Sequence, residues 1–176
     1  MPPNIKIKQF ADDLQSYTIF DPENINSAIQ NTNSFIQHIN NFSLKNFLTL
    51  SHQKIEILHF GLNNPKTPYY INGHQITAVS CAKTLGLLIT QDLKWNNHIT
   101  DKCSAAMRRW YNLSRATRIN DPKALVILYK SLFRPILEFP SIIFNPINPG
   151  LISKLEKIQR RITRNILFRC SQGNIK

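Results

Sequence analysis

The hydrophobic and polar positions change their period near residue 92. Before it, apolar and polar residues alternate over residues 4–9, and residues 14–20 are rich in β-forming types, which predicts two strands joined by Phe10-Ala11-Asp12-Asp13. A helix is predicted from the start pattern Asp21-Pro22-Glu23 to about Asn41. Further strands are predicted at 54–60, at 69–71 and 74–76 around an Asn-Gly turn, and at 84–89.

From Trp95 onward the apolar positions repeat at helical spacing. They predict one helix to about Thr117, a second that starts at Asp121-Pro122 and is kinked by Pro135 and ended by Pro140, and a third from Asn148-Pro149. The predicted fold class is α+β. Residues 1–91 would form β-hairpins with one packing helix, and residues 92–176 a three-helix bundle.

The net charge of +12 lies entirely in the second part of the chain. Residues 1–82 hold five basic and five acidic residues, whereas residues 83–176 hold 17 basic and five acidic ones. Such asymmetry favours a polyanionic partner such as a phosphate backbone. The alternative is a soluble basic surface with no partner.

Cysteine content and hydropathy exclude several classes of protein. Three widely spaced cysteines without a Cys/His cluster indicate neither a zinc site nor a disulfide framework. The N-terminus lacks the pattern of a signal peptide. The longest apolar stretch, residues 127–147, contains Lys130, Arg134, Glu138 and three prolines, so no membrane span is predicted. We therefore expect a protein that is not secreted and acts in the nucleus or cytoplasm, with no membrane partner.

Two regions carry candidate chemistry. Asp12 and Asp13 would lie at the tip of a rigid hairpin, where carboxylates suit a hard cation such as Mg²⁺, although most adjacent acid pairs are solvated turn residues. On the third predicted helix, an apolar stripe is backed by a basic stripe that would contact phosphates or remain a solvated face. The basic stripe consists of Lys154, Lys157, Arg160, Arg161 and Arg164.

Several motifs along the chain resemble reverse transcriptases of non-LTR retrotransposons, the jockey-like mobile elements. Phe10-Ala11-Asp12-Asp13 is similar to the F/Y-A-D-D box of that family, and residues 50–61 (LSHQKIEILHFG) resemble its L-N-x-x-K-T-x-x-x-x-F-G segment. Residues 84–89 (TLGLLI), 128–139 (LYKSLFRPILEF) and 155–161 (LEKIQRR) are similar to Y-L-G-V-x-I, L-Y-x-S-x-V-R-P-I-L-E-Y and L-E-x-V-Q-R-R. The resemblance covers nearly the whole chain.

The resemblance implies a role for each matched position. Asp12 and Asp13 would hold Mg²⁺, or Mn²⁺, with Phe10 against the nucleic acid. Lys54 would lie near the incoming dNTP, unless it is a solvated lysine at a strand edge. Gly86 would let the backbone approach the primer, unless it is an ordinary bulge glycine. Residues 1–91 would be the C-terminal part of the palm and residues 92–176 the thumb, with an RNA template and a DNA primer as partners.

The chain also departs from the family pattern. No upstream metal-binding Asp or fingers region precedes the hairpin, Ile55 replaces a Thr, and Thr84 replaces an aromatic residue. We therefore expect a fragment of an RNA-directed DNA polymerase that is inactive as a separate chain. The alternatives are a non-catalytic module that binds nucleic acid through the basic thumb, and an inert remnant.

Overall fold

The chain forms a mixed α and β structure, as predicted. The computed structural model describes residues 4–61, 63–117, 119–139, 141–144 and 148–173. The chain divides after Ser80 into two compact units, Met1–Ser80 and Cys81–Lys176. The palm and thumb boundary at residue 91 concerns the family architecture and stays a prediction.

The first unit begins with the predicted hairpin. Strands β1 (Ile5–Phe10) and β2 (Asp13–Thr18) pair antiparallel from Ile5–Thr18 to Phe10–Asp13. Helix α1 (Ile25–Lys45) follows and contacts β1. Ala28 and Phe35 are buried on α1, because the apolar residues at helical spacing share one face.

The start and end of α1 differ from the prediction. Asp21-Pro22-Glu23 leads into a 3₁₀ turn, Pro22–Asn24, and Asp21 makes no side-chain capping hydrogen bond. The α-helix itself begins at Ile25 and runs to Lys45, four residues beyond the predicted end. Proline at the start of the turn fixes the local backbone but leaves the helix to begin one turn later.

The remaining strands of the first unit are short. They are β3 (Glu56–Leu58), β4 (Tyr70–Ile71), β5 (His74–Gln75) and β6 (Thr77–Val79). β3 pairs parallel with β6, and β4 pairs with β5 around the predicted Asn72-Gly73 turn, where both residues have positive φ. The strand predicted at 54–60 was too long: Lys54 ends a 3₁₀ turn, and the strand itself spans only Glu56–Leu58.

A second buried cluster and a pair of amides join α1 to the β4–β5 hairpin. Tyr69, Ile71 and Ile76 are buried, with isoleucines of α1 packed against them. Asn40 of α1 and Asn72 exchange two side-chain hydrogen bonds of 2.7 and 2.8 Å. The buried Asn40 is thereby satisfied, which fixes the hairpin turn on the helix.

The second unit starts with a hairpin where a single strand was predicted. Strands β7 (Cys81–Thr84) and β8 (Leu87–Thr90) pair antiparallel, and Leu85 and Gly86 form the turn between them. Gly86 therefore lies in a turn and not inside a strand. Leu85 has a φ of 46°. Leucine rarely adopts a positive φ, so the sequence did not predict a turn at this position.

The three predicted helices of the second unit are present in order, but the second is divided, and a short helix that was not predicted precedes the third. The helices are α2 (Asn96–Ala116), α3 (Pro122–Leu128), α4 (Arg134–Glu138), the short α5 (Ser141–Phe144) and α6 (Pro149–Gly173). Asp121 caps α3, and its Oδ2 accepts a hydrogen bond of 2.8 Å from the Ala124 amide. The predicted end at Pro140 lies outside the described residues.

A π-helical segment, Tyr129–Phe133, joins α3 to α4. The Arg134 amide donates to the Tyr129 carbonyl five residues back. Pro135 follows at once, and in a regular α-helix its ring would clash with the carbonyl four residues before it. The wider turn relieves that clash, so the predicted kink takes the form of a π-helical segment.

Two clusters form the core of the second unit. One joins Leu87 of β8 to Ile99, Cys103 and Ala106 of α2 and Leu137 of α4. The other centres on Trp110 and Phe133, whose rings meet edge to face at 5.4 Å between centroids. Trp95 and Trp110 pack in these clusters.

Candidate metal and nucleic-acid sites

The tip of the β1–β2 hairpin carries the predicted metal ligands. Phe10 pairs with Asp13, which leaves Ala11 and Asp12 as a two-residue loop. Ala11 has a φ of 51°, the left-handed conformation that two-residue hairpin turns require at their first central residue. Gln9 Nε2 braces the loop by donating to the Ala11 carbonyl at 3.1 Å. Asp12 and Asp13 are thus held, exposed, on a tight turn.

The two faces of the hairpin have different surroundings. Ile5 and Ile7 alternate with exposed Lys6 and Lys8 along β1, and only the isoleucines are partly buried. By the two-residue period of a strand, Phe10 lies on the lysine face. Its side chain is 66% exposed beside the carboxylates, so an aromatic ring is available to a ligand at the tip.

The two carboxylates supply oxygen ligands but only a small set of them. Among the described residues, no group of three or more His, Cys, Asp or Glu side chains is placed to hold a metal ion. Mg²⁺ commonly binds one or two carboxylates and completes its octahedron with water and phosphate oxygens. The donor chemistry of Asp12 and Asp13 therefore fits part of a Mg²⁺ site.

Lys54 is not part of the β1–β2 hairpin that carries Asp12 and Asp13. It ends the 3₁₀ turn His52–Lys54 and is exposed. Within the described part of the chain it makes no ion pair with Asp12 or Asp13. Its predicted contact with a triphosphate stays a prediction.

Gly86 lies, half-buried, at the tip of the β7–β8 hairpin in the second unit. Its φ is +83°, and a Cβ added there would meet only the Phe139 ring, at 3.6 Å. Leu85 and Phe139 are both about half exposed, at 47% and 58%. The tip therefore offers partly accessible backbone flanked by two apolar side chains.

The five cations predicted on the third helix fall into two groups on α6. Lys154 Nζ donates to Thr100 Oγ1 at 2.7 Å, and Arg161 Nη2 donates to the Tyr111 hydroxyl at 2.6 Å. Arg160 instead pairs with Glu156 at 2.8 Å. Lys157 and Arg164 are exposed and share the stripe of Lys154 and Arg161, by steps of three and four residues.

A matching stripe lies on α2. Positions 104, 108, 111 and 115 share one face at helical spacing, and Arg108, Tyr111 and Arg115 are exposed there. Contacts near the N-termini (Thr100 with Lys154) and toward the C-termini of both helices show that α2 and α6 run parallel. The two stripes meet along the groove between them. We call this surface the α2–α6 cationic groove, formed by Arg108, Tyr111, Arg115, Lys154, Lys157, Arg161 and Arg164.

Two other arginines of these helices have structural partners. Arg109 Nη1 reaches the Leu132 carbonyl in the π-helical segment, at 3.5 Å. Arg169 donates to the carbonyls of Ser114 and Thr117 and lies 5.9 Å from the centroid of the Trp110 ring. Carbonyls at a helix C-terminus attract cations, so Arg169 caps α2.

The groove extends the prediction, which placed the basic stripe on the third helix alone. The signal for the α2 stripe was present in the four-three-four spacing of positions 104, 108, 111 and 115. The sequence did not show that this face of α2 lies beside the basic face of α6.

Two further observations bear on the class of protein. No helix in the described ranges is long and apolar enough to cross a membrane. Comparison of the chain with models of protein families, with curated proteins and with solved structures gave no match.

Proposed function

We propose that the chain is part of the reverse transcriptase of a non-LTR retrotransposon, an RNA-directed DNA polymerase of the nucleus or cytoplasm. The observation that carries this proposal is the two-residue hairpin that exposes Asp12 and Asp13 beside Phe10. Its substrates would be an RNA template, a DNA primer and dNTPs.

In this proposal the hairpin tip holds Mg²⁺ through the two carboxylates. When bound there, Mg²⁺ supplies charge stabilisation for phosphoryl transfer to the primer 3′-hydroxyl. Asp12 and Asp13 contribute oxygen ligands on a backbone that the two-residue loop keeps rigid. Phe10 offers an apolar surface to the neighbouring nucleotide, and Gly86 offers partly accessible backbone at the other hairpin tip.

The α2–α6 cationic groove supports the nucleic-acid part of the proposal. Its six cations include four arginines with no acidic partner among the described residues: Arg108, Arg115, Arg161 and Arg164. Arginine forks bind phosphate oxygens, and contacts to phosphates orient a protein on a duplex without reading its sequence. Tyr111, tied to Arg161, lies between the two rows of cations.

We expect the hairpin to bind a divalent metal weakly and specifically. Titration with Mn²⁺ should broaden the NMR signals of residues 10–15 first, with an affinity on the order of millimolar, because two carboxylates are a small ligand set. The combined change Asp12→Asn and Asp13→Asn should abolish the broadening there.

A second acidic pair provides the matched control for this titration. Asp21 and Glu23 are exposed in the same unit, and Asp21→Asn with Glu23→Gln removes the same charge. That variant should retain the broadening at residues 10–15. Broadening that survives the loss of Asp12 and Asp13 would contradict the proposed metal site.

A polypeptide of these 176 residues should not extend a primer. Two-metal phosphoryl transfer needs more oxygen ligands than the hairpin provides. We expect no incorporation of dNTPs on a primed RNA template, with either Mg²⁺ or Mn²⁺. Incorporation that disappears on Asp12→Asn would show that the chain is a complete polymerase.

A second candidate function is nucleic-acid binding without catalysis. It is favoured by the α2–α6 cationic groove, which does not depend on the hairpin. Duplex binding by the unaltered chain, together with no metal-dependent broadening at residues 10–15, would favour this candidate.

A further inference from the structure

A buried histidine accepts a hydrogen bond from a backbone amide at the outer edge of the β7–β8 hairpin. The pairs of an antiparallel ladder alternate, and after a two-residue turn the first pair, Thr84 and Leu87, exchanges hydrogen bonds. In the next pair, Lys83 and Leu88, the backbone groups point outward. The outward Leu88 amide donates to His98 Nδ1 at 3.2 Å. A side chain of α2 thus takes the place of a third strand.

The chain between β8 and α2 fixes the position of this histidine. Thr90 Oγ1 lies 2.6 Å from Asp92 Oδ1 and 3.0 Å from the Lys94 carbonyl, and the Lys94 amide donates to Asp92 Oδ1 at 3.1 Å. These bonds favour the ionised carboxylate and lower the pKa of Asp92. These bonds fix the segment between β8 and α2, so that His98, near the start of α2, lies against β8.

His98 is fully buried, with the Trp95 ring edge-on at 6.0 Å. Nδ1 can accept the Leu88 proton only when it is itself unprotonated. Burial lowers the pKa of His98, and the Lys102 ammonium lowers it further, whereas the Asp101 carboxylate acts in the opposite direction. β8 contains no charged residue, and Lys83 of β7 is exposed. The neutral ring is therefore the form that the fold stabilises.

We propose that His98 is a positioning residue that latches the β7–β8 hairpin to α2 and releases it when protonated. The latch holds the Leu85–Gly86 tip in one position. If the proposed function is correct, the tip is then presented to nucleic acid at neutral pH and becomes mobile in acid. The latch itself does not depend on that function.

The sign of the pH dependence follows from the lowered pKa. At a pH above about 6.5, the ordinary value for histidine, both folded and unfolded chains carry a neutral ring and the latch is intact. As the pH falls, the unfolded chain takes up the proton first, so the stability that the latch contributes is lost as the pH falls through the folded pKa.

The test compares hydrogen exchange at the Leu88 amide in three chains. In the unaltered chain its protection factor should fall by about threefold to tenfold as His98 titrates, as expected for one backbone hydrogen bond. His98→Asn keeps an acceptor that does not titrate, so protection should persist across the same pH range. His98→Leu removes the acceptor, so protection should be low throughout.

His59 serves as the matched control in the other unit. Its pKa is also lowered, by burial and by Lys66, and His59→Asn should leave the Leu88 titration unchanged. If His98→Leu does not fold, the unaltered chain and His98→Asn still decide the outcome. Equal loss of Leu88 protection in those two chains on acidification would overturn the latch.

A binding measurement separates the latch from the proposed function. The affinity for an RNA–DNA duplex should decline with falling pH more steeply in the unaltered chain than in His98→Asn, since other histidines titrate equally in both. Parallel pH profiles would overturn the role of the latch in ligand binding. Absence of duplex binding at every pH would contradict the proposed function instead, and Leu88 exchange would still decide the latch.

Discussion

Removing four cations from the α2–α6 cationic groove is expected to abolish most of the salt dependence of duplex binding. If the unaltered chain neutralises about four phosphates, the log–log slope of affinity against salt should be about −3.6 on duplex DNA. The affinity should then fall by roughly a hundredfold between 50 and 200 mM salt. The variant that tests this carries Arg108→Ala, Arg115→Ala, Lys157→Ala and Arg164→Ala, and its slope should be close to zero.

A control with the same change in net charge tests whether position matters. Exposed cations outside the groove provide it, and the control variant carries Lys45→Ala, Lys94→Ala, Lys123→Ala and Lys130→Ala. It should retain a slope near that of the unaltered chain. Both sets of side chains are solvent-exposed, so circular dichroism should be unchanged. Equal slopes in the two variants would show that binding follows net charge and not the groove.

Truncating Phe133 should be the most destabilising single change in the second unit. The ring is fully buried against Trp110, in an edge-to-face pair with an angle of 72° between planes. Phe133→Ala leaves a cavity among Leu125, Met107 and Ile162, and such changes cost about 3–5 kcal/mol. The free energy of unfolding is measured by urea denaturation. Its slope against urea concentration should be the same in the variant and in the unaltered chain.

Phe168→Ala is the matched control, because the same side chain is removed from a site that is 62% exposed. It should change the free energy of unfolding by no more than about 0.5 kcal/mol. A similar loss in the two variants would mean that the Trp110–Phe133 cluster is not the core of this unit.

The sequence predicted those elements whose signals are local and long. The β1–β2 hairpin follows from alternation in its first strand and β-rich residues in its second, and α2 and α6 follow from apolar positions repeated over five or more turns. The predicted helix start at Asp121-Pro122 was confirmed, with Asp121 as the cap of α3. At the candidate metal site, placing Asp12 and Asp13 at the tip of the hairpin required only the sequence pattern of its two strands.

Features that depend on tertiary contacts were not predicted. The β7–β8 turn uses Leu85 at a positive φ, a conformation that leucine adopts only where surrounding contacts compensate. The latch needs a histidine ten residues after the amide it binds, a separation with no secondary-structure period. Predicting the α2 side of the cationic groove would have required knowing how α2 and α6 are rotated about their axes. Helix packing decides that rotation.

The π-helical segment has a consequence for how this chain tolerates insertions and deletions. From Leu125 to Leu137 an ideal α-helix would rotate by about 120° beyond whole turns, which would take one of these two buried residues out of the core. The wider turn of Tyr129–Phe133 absorbs the excess. Deleting one exposed residue there, such as Lys130, and restoring regular α-helix would leave the two leucines about 20° apart. Both lengths therefore keep the core in phase, and Pro135, which a regular helix accommodates poorly, favours the longer one.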